Sequence, residues 1–338
     1  MTQTTAPPRA RPAQSSVTGA RSRAREVLTG AVASIAITLL VVIVVGLAWV
    51  GPAFLSTSNI TIIGSFVAVP LLVGACSGFA LLAGVVDLSI GSMVGFSGAV
   101  FASLVVAGWG PWPAGAAAVV LCLVCGTINA LAIVVFGASP IAATLGMLTA
   151  LAGLNRVVVG RQGAVTALIP DLFDFTSRLA LSLPLVFLLA LVVVALATVV
   201  VTSMRLGRHI RAVGGDEVAA TRAGISVLRV RFLALLFSAM GAGIGGILYV
   251  GQLGSASNSL GTGLEFQVYA ALMIGGYSIL RGGVGNPAGG AMGLLVVAGV
   301  ANILDVQAIS PYYVNIIVGL LLLAAVLIDR LRGGDAYE

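Results

Sequence analysis

Asp87 is the residue whose type and setting first suggest chemistry in this sequence. It is the only charged residue between positions 60 and 107, within Gly84-Val85-Val86-Asp87-Leu88-Ser89-Ile90-Gly91. A carboxylate at membrane depth is costly unless it is paired or reaches water. Two roles fit it. Asp87 can accept the free N–H groups of the helix that follows, or it can serve a gate or pathway built on a broken helix. Other polar residues inside apolar runs are Asn129, Thr144, Asn155, Gln267, Tyr269, Asn302 and Asn315. They carry the donors and acceptors that an uncharged, hydroxylated solute would need. Hydrogen bonds between helices account for such residues equally well. Asp87, Ser89, Asn129, Thr144, Asn155, Gln267 and Tyr269 are the candidates for pathway or gate.

Other chemistries drop out by absence. All 17 basic residues are arginine. Without lysine there is no phosphate loop ending in Gly-Lys-Ser/Thr and no lysine Schiff base. His209 is the sole histidine, which excludes a multi-histidine metal site. Cys122 and Cys125 form a C-x-x-C, but their surroundings, LCLVCG, are apolar, and Cys76 lies in a similar run. These thiols read as small packing residues. Glu265 stands at the edge of an apolar run, and no string of ionisable residues crosses the runs, which argues against a proton-driven pump. No catalytic residue, metal ligand or cofactor is assigned.

The elements that must hold these residues follow from composition. Of 338 residues, 59% are hydrophobic and 8% charged, against roughly a quarter charged in soluble proteins. The expected fold is an all-α, polytopic transmembrane bundle. Apolar runs fall near 30–50, 61–83, 91–107, 114–136, 141–159, 183–203, 232–251, 265–281, 286–304 and 312–329. That gives about ten spans, each near the 20 or so residues that cross a bilayer. Fourteen of the 17 arginines fall on one side of this layout, and only Arg156, Arg161 and Arg178 fall opposite. The positive-inside rule makes the first side, with both termini, cytoplasmic. The net charge of +6 is thus a topology signal, and nucleic acid is not expected as a partner; membrane lipid is. Residues 1–28 read as a disordered tail, 29–332 as the transmembrane domain and 333–338 as a C-terminal tail. GASPIAATLGMLTAL and AISPYYVNIIVGLLLL hint that spans two to five and seven to ten are inverted repeats. Glycines spaced by four at Gly91/Gly95, Gly241/Gly245 and Gly285/Gly289/Gly293 imply close helix packing.

The longest loop on the arginine-rich side is 204–231, with Gly207, Gly214, Gly215 and Gly224 as breakers. Asp216 and Glu217 suit a helix start. The pattern favours a partner-docking element over a simple basic anchor at lipid headgroups.

Four segments carry a family resemblance. GVVDLSIG looks like G-G-I-D-L-S-V-G, and GASPIAATLGMLTALAGL resembles a segment built on I-P-P-F-I-V-T-L-G-M. GRHIRAVGGDEVAATRAGI is similar to G-R-x-x-Y-A-I-G-G-N-x-x-A-A-x-x-x-G-I, and IGGYSILRGGVGN to I-G-G-T-S-L-x-G-G-x-G-S. They resemble, in this order, the permease subunits of bacterial ABC importers for ribose, xylose and similar monosaccharides, over roughly residues 30–332. The chain departs from the pattern at Val85, where a glycine is usual and which should stiffen the turn before Asp87. It departs again at Tyr277, where threonine is common, and near Arg281, where it is one residue longer.

The resemblance implies a multi-pass subunit of the bacterial inner membrane. A second permease subunit, identical or related, pairs with it, and two ATPase subunits bind beneath. A periplasmic or lipid-anchored binding protein delivers the sugar. It further implies an ATPase-coupling segment containing Gly207, Arg208, His209, Arg211, Gly214, Gly215, Asp216, Glu217, Ala219, Ala220 and Gly224. The outer loop 161–179, with Asp171, Asp174 and Arg178, is the candidate landing surface for the binding protein; an amphipathic rim helix without a partner is the alternative. A permease for branched-chain amino acids and a self-contained secondary transporter are the competing functions. A membrane-embedded enzyme would need a cluster of His, Asp or Cys that the inventory lacks.

Overall fold

The computed structural model describes residues 37–334. The tail expected over 1–28 lies outside the described residues, as do positions 335–338 of the C-terminal tail. The protein is a bundle of helices: α1 (Ile37–Trp49), α2 (Thr57–Leu82), α3 (Ile90–Val106), α4 (Pro111–Ala130, prolonged by a π turn over Leu131–Val135) and α5 (Pro140–Val159). Then come β1 (Ala164–Thr166), α6 (Pro170–Ser177), a two-residue hairpin of β2 (Leu179–Ala180) and β3 (Leu183–Pro184), and α7 (Leu185–Ser203). The second half holds α8 (Arg205–Gly215), α9 (Glu217–Arg222), α10 (Val227–Leu253), β4 (Ser255–Ser257), α11 (Leu264–Ile274), α12 (Pro287–Val306) and α13 (Pro311–Gly334). Among the described residues, six helices are long and apolar enough to cross a membrane, and four more are apolar but shorter. The chain is a polytopic helical membrane protein.

Local sequence sets the helix ends. α4, α5 and α12 carry proline in their first turn, where its missing N–H costs nothing. Ser56, Asp216, Ser226 and Asn286 accept hydrogen bonds from the first turns of α2, α9, α10 and α12. Two C-termini close by the same left-handed glycine turn. At the end of α2, Gly84 has φ +77° and Val85 N–H donates to Ala80 O at 2.9 Å. The strained position is therefore Gly84, and Val85 is free to bury its side chain beside Ala130, Ile133 and Leu235. At the end of α11, Gly276 has φ +90° and Tyr277 N–H donates to Leu272 O at 2.9 Å.

The second turn corrects an expectation. The eighth apolar run, expected over 265–281, holds a helix only to Ile274. A side chain at Gly275 would collide with the Gly289 carbonyl, so the chain turns there to let α12 pass. α11 is 11 residues long, about 16 Å at the usual rise, roughly half the hydrocarbon thickness. The connection before it descends into the bundle to meet it.

α2 and α10 form the centre. They pack on each other, α10 also on α3 and α4, and α2 also on α7 and α12. Contact is close because glycine faces larger neighbours: Gly241 lies on Cys76, Gly243 on Cys122, and Gly246 on the α3 backbone at Val94 and Gly98. The three cysteines are free thiols. At the far end from the arginine-rich loop, β1 pairs antiparallel with β4, Val165 opposite Ala256. This ladder ties the α5–α6 connection to the α10–α11 connection.

Gly246→Ala should lower stability by about 1–3 kcal/mol, because the new methyl meets backbone that cannot rotate away. Gly146→Ala, on a face with nothing within 4 Å, should not. Thermal unfolding of both variants in detergent checks the contrast.

Candidate functional site

Three layers stack along the bundle. The first is a cavity of about 920 Å³ at the far end, between α2, α6, α10, α12, α13 and the segment leading into α11. Gln252, Thr262, Gln267, Asn302, Asp305 and Asn315 line it, with apolar Phe66, Leu264 and Val318 between them. Gln252 donates to Ser65 O at 2.9 Å. Asn302 and Asn59 exchange a reciprocal pair of hydrogen bonds, each 2.9 Å. The floor is the descending segment at Leu260–Gly263. It lies flat on α3, so that side chains at Gly91 or Gly95 would collide with the carbonyls of Gly261 and Leu260. Gly261 itself, with φ +77°, sits against the Gly91 carbonyl. Here the four-residue glycine spacing of α3 accepts a strand of backbone.

The second layer is a buried polar node below that floor. Asp87 Oδ1 accepts from Ser89 N–H at 3.1 Å and from the Ser89 hydroxyl. Asp87 Oδ2 accepts from Ser238 Oγ of α10 at 2.8 Å. Asn129 of α4 donates to Ser89 Oγ at 3.0 Å. Tyr269 of α11 both accepts from Asp87 N–H and donates to Asp87 O, each at 2.9 Å. All five residues are at most 2% exposed, so the node is sealed from solvent on both sides. Ser89, not Asp87, is the residue at the α3 cap position, and Asp87 holds it from two residues back. Ser238 was not singled out in the sequence. A lone hydroxyl in the run LLFSAMG carries no visible signal. Glu265, one helical turn before Tyr269, is 5% exposed, and its Oε2 has no hydrogen-bond partner.

The remaining pathway candidates lie on α5. Thr144 donates to Pro140 O of its own helix at 2.8 Å and lies 3.5 Å from Val86 O. Asn155 Nδ2 makes long contacts of 3.4 Å with Ser257 O and Asn258 O. The structure therefore joins Asp87, Ser89, Asn129 and Tyr269 in the node, places Gln267 in the cavity wall, and sets Thr144 and Asn155 beside the two connections that flank α3.

The third layer is a joint at the arginine-rich end. α8 is amphipathic, burying Gly207, Ile210 and Val213 and exposing Arg208 and His209. Gly214 has no room for a side chain: one would collide with Leu82 O and Gly283 N. Gly283 N–H donates to Leu82 O at 2.8 Å, and Arg211 donates to Gly285 O at 2.9 Å. Asp216 caps α9 by accepting from Ala219 N–H at 2.9 Å. Glu217 pairs with Arg231 of α10 at 2.8 Å, and Arg231 reaches Ala83 O at 3.4 Å. Ala220 is buried, whereas Gly215, Ala219 and Gly224 are exposed. Tyr277 is buried behind Gly285 and Gly78.

The outer loop borders the first layer, since Phe173, Thr176 and Ser177 of α6 line the cavity. α6 turns Leu172 and Thr176 onto Gly251 of α10 and exposes Asp171 and Asp174, with Arg178 exposed just beyond it.

A family profile described as "Branched-chain amino acid transport system / permease component" matches residues 60–326. The chain belongs to this permease family. It is 32% identical over 279 residues to the D-allose transport system permease protein AlsC of Escherichia coli (strain K12), covering 82% of this chain and 85% of that protein. It is 31% identical over 298 residues to the ribose import permease protein RbsC of the same organism, covering 87% and 92%. The ribose import permease protein RbsC of Bacillus subtilis (strain 168) is 30% identical over 301 residues, covering 86% and 90%. No solved structure matches. In this permease, all three layers fall inside the matched span apart from Asn59, which lies one residue before it.

Asp87→Leu removes the acceptor for three donors, Ser89 N–H, Ser89 Oγ–H and Ser238 Oγ–H. Each orphaned buried donor costs about 1–3 kcal/mol. The variant should reach the membrane at a fraction of the normal level, and Tyr269→Phe should be milder. Quantified membrane fractions and detergent melting curves test the order.

Proposed function

We propose that the chain is the translocation subunit of an ATP-driven importer for a monosaccharide of the ribose, xylose or allose kind. The observation that carries this reading is the identity of 30–32% to allose and ribose permeases, sustained over 82–87% of the chain. Ten spans with both termini cytoplasmic accompany it, the arginine-rich end facing the ATPases. Spans two to five and seven to ten form an inverted repeat. In each set the third and fourth helices, α4 and α5, then α12 and α13, begin on proline. A chain without lysine cannot supply the usual phosphate-loop lysine, so ATP hydrolysis belongs to two partner ATPase subunits. A second permease subunit completes the transmembrane assembly in the inner membrane.

The layers supply a mechanism. A binding protein docks over Asp171, Asp174 and Arg178 and releases sugar toward the polar-lined cavity, where Gln267 offers amide donors and acceptors. The node of Asp87, Ser89, Asn129, Ser238 and Tyr269 closes the way inward. α8 and α9 present Arg208, His209, Asp216 and Glu217 to the ATPase. Motion there passes through Gly214 to Leu82 and the turn that carries Asp87, five residues on. Alternation between states is then a shift of packed elements between two arrangements. ATP binding at the partner supplies the differential energy that such a shift requires.

Purification of the tagged chain from mild detergent should recover an ATPase, and the reconstituted complex should take up sugar with ATP. Uptake of solute by the chain alone without ATP would overturn the reading in favour of a secondary transporter. Uptake of leucine rather than a pentose or hexose would favour the branched-chain amino acid alternative. Glu217→Arg sets two like charges against each other, and Gly215→Pro removes a backbone donor near the end of α8. Both should abolish ATP-driven uptake and leave insertion intact.

A further inference from the structure

The α11–α12 connection, residues 275–286, touches both α8 and α13. On one side it is seated on α8, through Gly282 and Gly283 against Gly214 and through Arg211 to Gly285 O at 2.9 Å. On the other side it is held by α13. Asp329 Oδ2 accepts from Ser278 Oγ at 2.7 Å and lies 3.4 Å from Leu280 N. Ser278 Oγ in turn accepts from Arg281 N–H at 2.9 Å, which closes the connection into a tight turn around that hydroxyl. Ser278 is 4% exposed.

α13 itself packs mainly on α11 and less on α12. Its other end reaches the far-end cavity, where Val314, Asn315 and Val318 form part of the wall. Asp329 and Asn315 stand 14 residues apart on one helix, about 21 Å at the usual rise. A helix is stiff along its axis, so a displacement imposed at Asp329 arrives at Asn315.

We infer that α13 is a transmission rod. It carries motion of the α8–α9 segment, through the 275–286 connection, to the wall of the cavity, and Asp329 is the positioning residue that fastens the rod to the connection. This route is distinct from the one through Leu82 and Asp87, which ends in the node, and it rests on the proposed importer reading. It lets one input at the arginine-rich end act on closure at the node and on cavity shape together.

The test uses the full complex of permease, ATPase and binding protein in liposomes, reading sugar uptake and ATP hydrolysis in parallel. Asp329→Ala should lower uptake per ATP by about tenfold, the scale expected for losing a charge-assisted hydrogen bond, while hydrolysis continues. Ser278→Ala leaves the Leu280 contact in place and should give a smaller loss of the same kind. Exchange of the pair, Ser278→Asp with Asp329→Ser, should restore part of the coupling. An uptake-to-hydrolysis ratio equal to wild type in both single variants would overturn the rod. So would a parallel loss of uptake and hydrolysis with no recovery in the exchanged pair, which marks a purely structural contact. If the wild-type complex hydrolyses ATP and moves no sugar, it is the importer reading that fails.

Discussion

A carboxylate sealed in an apolar bundle must gather donors from whatever surrounds it, and Asp87 gathers them from separate elements. Ser89 comes from the start of α3 and Ser238 from α10, while Tyr269 of α11 grips the Asp87 peptide group from both sides. Asn129 of α4 then holds Ser89. Each is a neutral group, so the site works by hydrogen bonding and not by ion pairing. The low dielectric strengthens each bond and makes each vacancy expensive. The geometry of α3, α4, α10 and α11 at this depth is therefore set jointly.

That constraint explains why the chain breaks where it does. α2 must end at Leu82 so that Asp87 can fold back beneath α3. α11 must start deep so that Tyr269 can reach it. The descending segment before α11 needs backbone contact with α3, and Gly91, Gly95 and Gly261 supply it. Irregular backbone at this depth is tolerated because it is buried in protein or lines a cavity. The β1–β4 ladder holds the upper end of the same segment. Cavity floor and node thus share a wall.

Much of this was legible in advance, for identifiable reasons. Apolar runs locate the helices because the bilayer demands long uniform segments. Asp87 stood out because charge is rare there. Of the glycines expected to break the 204–231 loop, Gly215 and Gly224 do mark the ends of the two short helices, whereas Gly207 and Gly214 lie inside α8 and serve close packing. The end of α11 was misplaced because hydropathy stays high through MIGGYSIL, although Gly275 and Gly276 turn the chain. Ser238 was invisible because a hydroxyl alone does not reveal its partner. The pairs Glu217–Arg231 and Ser278–Asp329 join residues 14 and 51 positions apart. Such pairings depend on how helices cross, which composition does not encode. The lining of the cavity was only partly visible, since Gln267 is distinctive in an apolar helix but Thr262 in a loop is not.

The joint between Gly214, Leu82 and Gly283 is made of bare main chain. A contact between side chains can absorb a push by changing rotamer, and so blur it. Main chain pressed on main chain has no such slack. Under the proposed importer reading, the Gly214 contact would then act as a detent, either engaged or displaced by a whole step, in the manner of packed interfaces that are bistable and not continuously deformable. A permease geared this way would advance in discrete strokes, returning a partial push instead of leaking it across the membrane.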